Sequence, residues 1–487
     1  MTEFFIDNTR APKHRKTKIV ATVGPACRSA DITREMIKAG ANVFRLNFSH
    51  GSHEEHLASF KTIRTVSAEL RTPVAILQDL SGPKIRISQI EGNYVEIEDG
   101  ESISLFPAKG QYSNGKEIYV EGLNPVQIVK AGDQVLLADG IILLEVDEVE
   151  KNSVLCKIVK GGRLRSRVGI AFPDSEIELP ATTEKDFLDM AWGIEQEVDY
   201  VAISFVQNAR DVEMLREAIH KGRRDIKIIS KIERKSALQN IKEILDASDG
   251  LMVARGDLGL ELPLEVLPRV QRTLIEKSNF QGIPVIVATQ MMHSMITAVR
   301  PTRAEVSDIA AAVMSGADAV MLSEETSIGE HPIECVRYLD RIIREAEKSF
   351  QFEEYKLRLR NSDRATVPDA VAYAACAATN KVAASAIIAC TETGTSARLV
   401  AKYRPQQSLY GASRSEATLR RMALNWGIIP IVMDPSKSHE DEIEKAIKAV
   451  QKLENLPNGS RCVITGGLSV GRPGSTSVLE IREMEGR

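Results

Sequence analysis

The chain has 487 residues, 43% of them hydrophobic and 27% charged, with a formal net charge of −4. That length accommodates several domains, and the near-neutral balance argues against a nucleic-acid or membrane surface. Six scattered cysteines without CxxC pairs argue against a disulfide or zinc framework and fit reduced thiols in a cytosol.

The opening MTEFFIDNTRAPKH has no apolar core of a secretory signal, and the basic run RAPKHRKTK reads as a solvated tail leading into a strand. No stretch approaches the ~18 apolar residues that span a bilayer, so a cytoplasmic protein is expected. Short β-branched runs then alternate with amphipathic helical stretches. Strands are predicted at 17–24, 42–48, 73–80, 200–205, 226–232, 250–258, 284–289 and 319–326. Helices such as 31–40, 211–222 and 301–316 lie between them, with polar starts of the Asp31 and Ser307 kind. About eight βα units close a parallel barrel. An open doubly wound sheet needs fewer strands and a Gly-rich first turn, which is absent after 17–24.

The third unit is interrupted between Arg86 and about Pro180, where alternation and DG turns replace helical patterns. Helical periodicity resumes at 182–194, and a charged helical stretch at 344–364 leads to another α/β pattern. The expected architecture is a (β/α)8 TIM barrel (1–87 and 182–350) with an inserted small β-barrel domain (88–181) and a C-terminal α/β domain (351–487).

Active sites of such barrels lie at the C-terminal ends of the strands, and polar residues concentrate there. They are Arg45, Asn47, Ser49 and His50 after the second strand, Asp79 after the third, and Lys231 and Glu233 at the fifth. Arg255 and Asp257 follow at the sixth, Thr289 at the seventh, and Ser323 and Glu325 at the eighth. Each alone also reads as a surface cation, a cap or a turn. Together on one rim they point to a site. Glu233 and Asp257 suit an oxygen-ligated divalent ion, Mg²⁺ or Mn²⁺. Lys231, Arg45, Arg86 and Arg255 supply charge for a phosphorylated substrate. No Cys–His or Ser–His–Asp set accompanies them.

The ordered set TKIVATVGPA, RLNFSHG, DLSGPKIR, SKIER, ARGDLG, PVIVATQM, RPTRAEVSDIA and DAVMLSEET resembles the pyruvate kinase family over essentially the whole chain. The resemblance implies Mg²⁺-dependent phosphoryl transfer from phosphoenolpyruvate to ADP, giving pyruvate and ATP in glycolysis. It implies that Glu233 and Asp257 hold the metal, that Lys231 and Arg45 handle the phosphoryl group, and that N–H groups at Gly256 and Asp257 seat the carboxylate. Thr289, with Ser323 and Glu325, would serve enolate protonation. His50, Arg86 and Asn47 would face the nucleotide, and the inserted β domain would close as a lid. Where many members carry Lys, this chain has Asn208, so one nucleotide-facing charge is missing. A homotetramer is implied too.

Many members carry Glu where this chain has Lys84, and require K⁺ bound at positions matching Asn47, Ser49, Asp79 and the Leu80 carbonyl. DLSGPKIR resembles the branch that works without K⁺, with the Lys84 ammonium as a built-in monovalent cation. The resemblance further assigns the loop Thr391, Thr393, Gly394, Thr395 and Ser396, with Arg472 from the terminal loop, to an allosteric sugar-phosphate or AMP effector. A capped helix start is the plain alternative for that loop. Two other functional readings stay open at this point: a phosphoenolpyruvate- or pyruvate-using lyase or mutase, and a catalytically silent metabolite-binding regulator.

Overall fold

Eight short strands are apolar on both faces, a pattern that needs cover inside and out. They are β1 (Lys18–Thr22), β2 (Val43–Asn47), β3 (Ala75–Asp79), β4 (Tyr200–Ile203), β5 (Lys227–Ile232), β6 (Gly250–Ala254), β7 (Val285–Ala288) and β8 (Ala319–Leu322). In the computed structural model, which describes residues 13–175, 177, 179–360, 366–467 and 476–484, each pairs in parallel with its sequence neighbours and β8 closes on β1. Val20, Leu77, Ile229, Met252, Ile286 and Met321 fill the interior, while the outer faces bury helices such as Ala30–Ala39 and Pro332–Glu347. Among the described residues no helix is long and apolar enough to cross a membrane.

The predicted strands at 250–258 and 319–326 are too long. They stop at Ala254 and Leu322, and Arg255–Glu261 and Glu324–Ser327 are helical. Charged residues at the mouth cannot continue a strand buried on both faces, so the chain turns into helix there. The helix caps also lie elsewhere than expected. Ser29 and Thr302, not Asp31 and Ser307, accept the orphan N–H groups, and Thr302 forms a capping box with Glu305.

The insertion is an independent β unit. Strands Arg86–Ile87, Ser102–Pro107, Glu117–Glu121, Gln134–Leu137, Ile142–Val149, Val154–Lys160 and Ile170–Ala171 form one seven-stranded sheet, wrapped around Ile103, Leu105, Ile118, Leu144 and Val154. Its 139–140 turn has positive φ at Ala138, Asp139 and Gly140, which suits the Asp-Gly pair. The returning segment is tied to the barrel where Gln207 Nε2 donates to the Leu179 carbonyl at 2.6 Å and Arg234 Nη1 to the Ile177 carbonyl at 3.0 Å.

The C-terminal domain is a five-stranded sheet ordered Ile428–Val432, Ser408–Ser413, Ala386–Cys390, Arg461–Gly467 and Thr476–Glu483, parallel except for the last strand. It docks under the barrel through Arg404–Asp318 at 2.9 Å, the Tyr200 hydroxyl on the Arg421 carbonyl at 2.8 Å and Lys18 Nζ on the Ile428 carbonyl at 2.7 Å. All six cysteines are buried and none is in a disulfide.

Burial, helped by the Arg15 and Lys16 charges, pushes the Lys18 ammonium from 10.5 down to about 7. The unfolded chain therefore binds the extra proton between these values. Stability rises with pH through that window, by up to about 1.4 kcal/mol per unit. Lys18→Met is expected to flatten the rise of Tm between about pH 7 and 9. An unchanged slope in the variant would contradict this.

Candidate active site

Asp79, fully buried at the end of β3, organises the barrel mouth. Its Oδ2 accepts from Arg45 Nε at 2.6 Å, and Oδ1 lies 3.2 Å from Lys231 Nζ. Lys231 Nζ is also 3.0 Å from Glu233 Oε1 and donates to Ser204 Oγ at 2.7 Å. The Ser204 hydroxyl in turn donates to the Leu80 carbonyl, and Phe205 N–H donates to Glu233 Oε2 at 2.7 Å. Two cations and two carboxylates thus stand almost out of water, an arrangement that costs stability relative to apolar packing and suits a charged ligand.

The charge states follow from this crowding. Burial works against a charged Lys231, but Asp79 and Glu233 outweigh it and hold its affinity for the proton above the ordinary range. Burial likewise opposes the Asp79 anion, and Lys231 and Arg45 overcome it. Glu233 goes the other way. Burial raises it, the attraction of Lys231 offsets part of that, and the Asp257 carboxylate adds to the rise.

Asp257 stands on the short helix that follows β6 and shares a cavity of about 50 Å³ with Glu233, Lys84, Asp139, Pro83 and Phe205. Glu233 and Asp257, two of the four carboxylates that line this small space, repel each other, and Glu233 resists ionisation, so the pair fits a hard divalent cation that would offset the repulsion. Among the described residues no group of three or more His, Cys, Asp or Glu is placed to hold a metal. A cation at this pair would take its remaining oxygens from water or substrate, as Mg²⁺ commonly does.

Lys84 Nζ donates to Asp257 Oδ1 at 3.0 Å and lies 3.9 Å from Asp139 Oδ1 in the inserted domain. The residues named beside it form a set of their own. Ser49 N–H donates to Asn47 Oδ1 at 3.2 Å, the Ser49 and Ser81 hydroxyls are 3.4 Å apart, and Leu80 receives Ser204.

Thr289 follows β7 with φ of 70°, rare for a β-branched residue. Its Oγ1 accepts from Gly256 N–H at 2.8 Å and donates to the Ala288 carbonyl at 2.6 Å. Arg255 is turned away from the expected substrate role. It bonds Asp308 at 2.6 Å and the Thr289 carbonyl at 2.6 Å, bracing the strained loop. Glu325 is buried and accepts from Ser323 N–H at 2.6 Å and Met292 N–H at 3.1 Å, so its carboxylate fixes the loops that carry Ser323 and Thr289.

Residues 14–336 match the family model described as pyruvate kinase, barrel domain, and 369–482 match pyruvate kinase, alpha/beta domain. The chain belongs to the pyruvate kinase family. A pyruvate kinase of Clostridium acetobutylicum is 36% identical over 472 residues, covering 97% of this chain and 100% of that protein. Pyruvate kinases of Staphylococcus aureus and Staphylococcus saprophyticus are each 40% identical, covering 96% of this chain and 80% of theirs. The chain is accordingly an enzyme, a glycolytic phosphotransferase built on a TIM barrel.

In this pyruvate kinase-family barrel, a 310 Å³ cleft opens beside β1 and β2, lined by Pro25, Arg28, Asn47, His50, His56 and Ile328 among others. His50 is kept neutral more readily than an ordinary histidine by burial and by the Arg86 and Arg45 charges. Arg86 Nη1 meets the Arg167 carbonyl at 3.0 Å. Asn208 caps the helix Ala209–Lys221, its N–H 3.2 Å from Asp211 Oδ2. The sequence reading missed Pro25, Arg28, His56 and Ile328; the GPA after the first strand was the available signal.

In the C-terminal loop Gly394 N–H donates to Thr391 Oγ1 at 2.9 Å, the Thr393 and Thr395 hydroxyls are 3.0 Å apart, and Ser396 Oγ meets Thr476 Oγ1 at 2.5 Å. Arg472 lies outside the described residues.

Proposed function

We propose that this enzyme transfers the phosphoryl group of phosphoenolpyruvate to ADP with Mg²⁺, releases pyruvate and ATP, and needs no monovalent cation. The observation that carries the reading is the buried Lys231, held between Asp79 and Glu233 with Arg45 fixed on the same aspartate.

Phosphoryl transfer is mainly positioning and charge stabilisation. Asp79 aims the Arg45 guanidinium from the neighbouring β2 and the Lys231 ammonium from β5, two strands away, so both meet the phosphoryl group without reorganising. Glu233 and Asp257 would hold Mg²⁺, which would supply further positive charge for the transferring group. An ADP oxygen forms the new P–O bond as the bond to the enolate oxygen breaks. The Thr289 hydroxyl, with Ser323 beside it on the rim, then delivers a proton through water to the enolate carbon. The substrate carboxylate takes the Gly256 and Asp257 N–H groups, displacing Thr289 Oγ1 from Gly256. The cleft at Pro25, His50 and His56 takes the nucleotide, with Arg86 and Asn47 towards its phosphates, and the inserted domain excludes water as a lid.

Lys84 brings one positive charge on a flexible stem to the edge of the Asp257 cavity, which supports its role as the internal substitute for a K⁺ ion at Asn47, Ser49, Asp79 and Leu80. The 391–396 loop, a row of hydroxyls at a helix start, supports a phosphorylated effector, a sugar phosphate or AMP. The working form is a cytoplasmic homotetramer.

Pyruvate should appear only when phosphoenolpyruvate, ADP and Mg²⁺ are all present. EDTA should abolish the activity and excess Mg²⁺ or Mn²⁺ restore it. Pyruvate formed without ADP would favour the lyase reading, and phosphoenolpyruvate bound without turnover the regulator.

A further inference from the structure

The helix Glu184–Gln196, on which the chain returns from the inserted domain, starts with a capping box. Thr183 Oγ1 accepts from Asp186 N–H at 3.2 Å, and Asp186 Oδ2 accepts from the Thr183 N–H and hydroxyl, both at 2.7 Å. Such a box occupies one carboxylate oxygen. The other, Oδ1, serves a different element and accepts from Gly82 N–H at 3.0 Å. Asp186 is 1% exposed, so this bond is made out of water and to a charged acceptor, which strengthens it.

Gly82 is the bend of the turn that carries Lys84. Its φ of 65° lies in the left-handed region. A Cβ there would stand 2.8 Å from Ser204 Cβ and 2.9 Å from Phe205 Cδ2, so the turn is pressed against the end of β4. Lys84 N–H donates to the Gly82 carbonyl at 3.0 Å. The lysine stem therefore leaves a backbone fixed by Asp186 at Gly82 and by the Ser204 hydroxyl at Leu80.

A second carboxylate of the same helix acts on the loop after β2. Asp189, 2% exposed, meets His53 Nε2 at 2.8 Å and accepts from Lys185 Nζ at 2.5 Å. Lys185 Nζ also donates to the Phe48 carbonyl at 2.8 Å, between Asn47 and Ser49. One helix thus pins both loops that carry the monovalent-cation set.

We infer that Asp186 is a positioning residue of the reaction, which holds the turn through the Gly82 amide so that the Lys84 ammonium stands at the Asp257 cavity. This role rests on the reading of Lys84 as the internal cation. It adds that the placement of Lys84 is set from the helix beyond the insertion, where the outgoing and returning legs of the inserted domain are tied together.

Initial rates of pyruvate formation with and without K⁺, and Tm, are to be compared for wild type, Lys84→Glu, Asp186→Ala and Thr183→Val. Asp186→Ala should lose at least about 10-fold in kcat without K⁺ and regain most of it with K⁺. Thr183→Val removes the capping hydroxyl and leaves Oδ1 on Gly82, so it should lower Tm without creating a response to K⁺. Hydrogen exchange at the Gly82 amide of wild type needs no variant, and protection of about 10²-fold or more over an open chain is expected there. Exchange at the open-chain rate would overturn the clamp even if Asp186→Ala folds poorly. Rescue of Lys84→Glu by K⁺ without rescue of Asp186→Ala would overturn the positioning role alone, as would an equal K⁺ response in Thr183→Val. A wild type that needs K⁺ would overturn the reading of Lys84 and the role of Asp186 with it.

Discussion

Lys231→Met is expected to lower turnover by at least about 10³-fold, the scale on which a single cation acts on a phosphoryl transition state. The affinity for phosphoenolpyruvate should change far less, because Arg45 and the metal pair still hold its ground state. The variant should also lose stability. Removing Lys231 leaves the buried Asp79 and Glu233 facing each other without their shared ammonium, a loss of about 3–5 kcal/mol where a buried charge is orphaned. Adding Asp79→Asn removes one of those charges and keeps an acceptor for Arg45. The double variant should recover much of the Tm and none of the turnover. If Asp79→Asn restored both, Lys231 would be a structural counter-ion and its catalytic role would be lost.

Glu233→Gln should weaken Mn²⁺ binding, read by electron paramagnetic resonance, by at least about 10²-fold, because it removes one of the two carboxylates assigned to the metal. Turnover at fixed Mg²⁺ should fall by about 10³-fold or more. The amide oxygen can still accept from Phe205 N–H, and Lys231 retains Asp79, so Tm should fall less than in Lys231→Met. Unchanged Mn²⁺ affinity would move the metal away from Glu233.

The barrel was legible because a strand buried on both faces has no choice but a run of Val, Ile, Leu and Ala, as in the IVA of β1 and the VIVA of β7. Strand ends were less legible. Arg255 and Ser323 look like continuations in a one-dimensional pattern, and only the crowded mouth shows why the chain must turn. The rim residues stood out as charges at those ends, but their division of labour did not. Asp79 had been placed only in the monovalent-cation set. Its partners Arg45 and Lys231 lie on other strands, and no local spacing brings them together. Arg255 carried the right charge for a substrate and the wrong neighbours, Asp308 and the Thr289 carbonyl. Ser204, which fixes Lys231 from a separate strand, gave no signal at all.

The Lys84 ammonium in place of K⁺ sets the expected initial rate of pyruvate formation in Tris buffer freed of K⁺ and NH₄⁺, then repeated with K⁺ added, for wild type and Lys84→Glu. Wild type should run at the same rate in both buffers. Lys84→Glu should lose about 10²-fold or more without K⁺ and recover much of it with K⁺, since the ion then replaces the missing ammonium. A wild-type enzyme that is strongly K⁺-dependent would contradict the account of Lys84 while leaving the kinase chemistry in place.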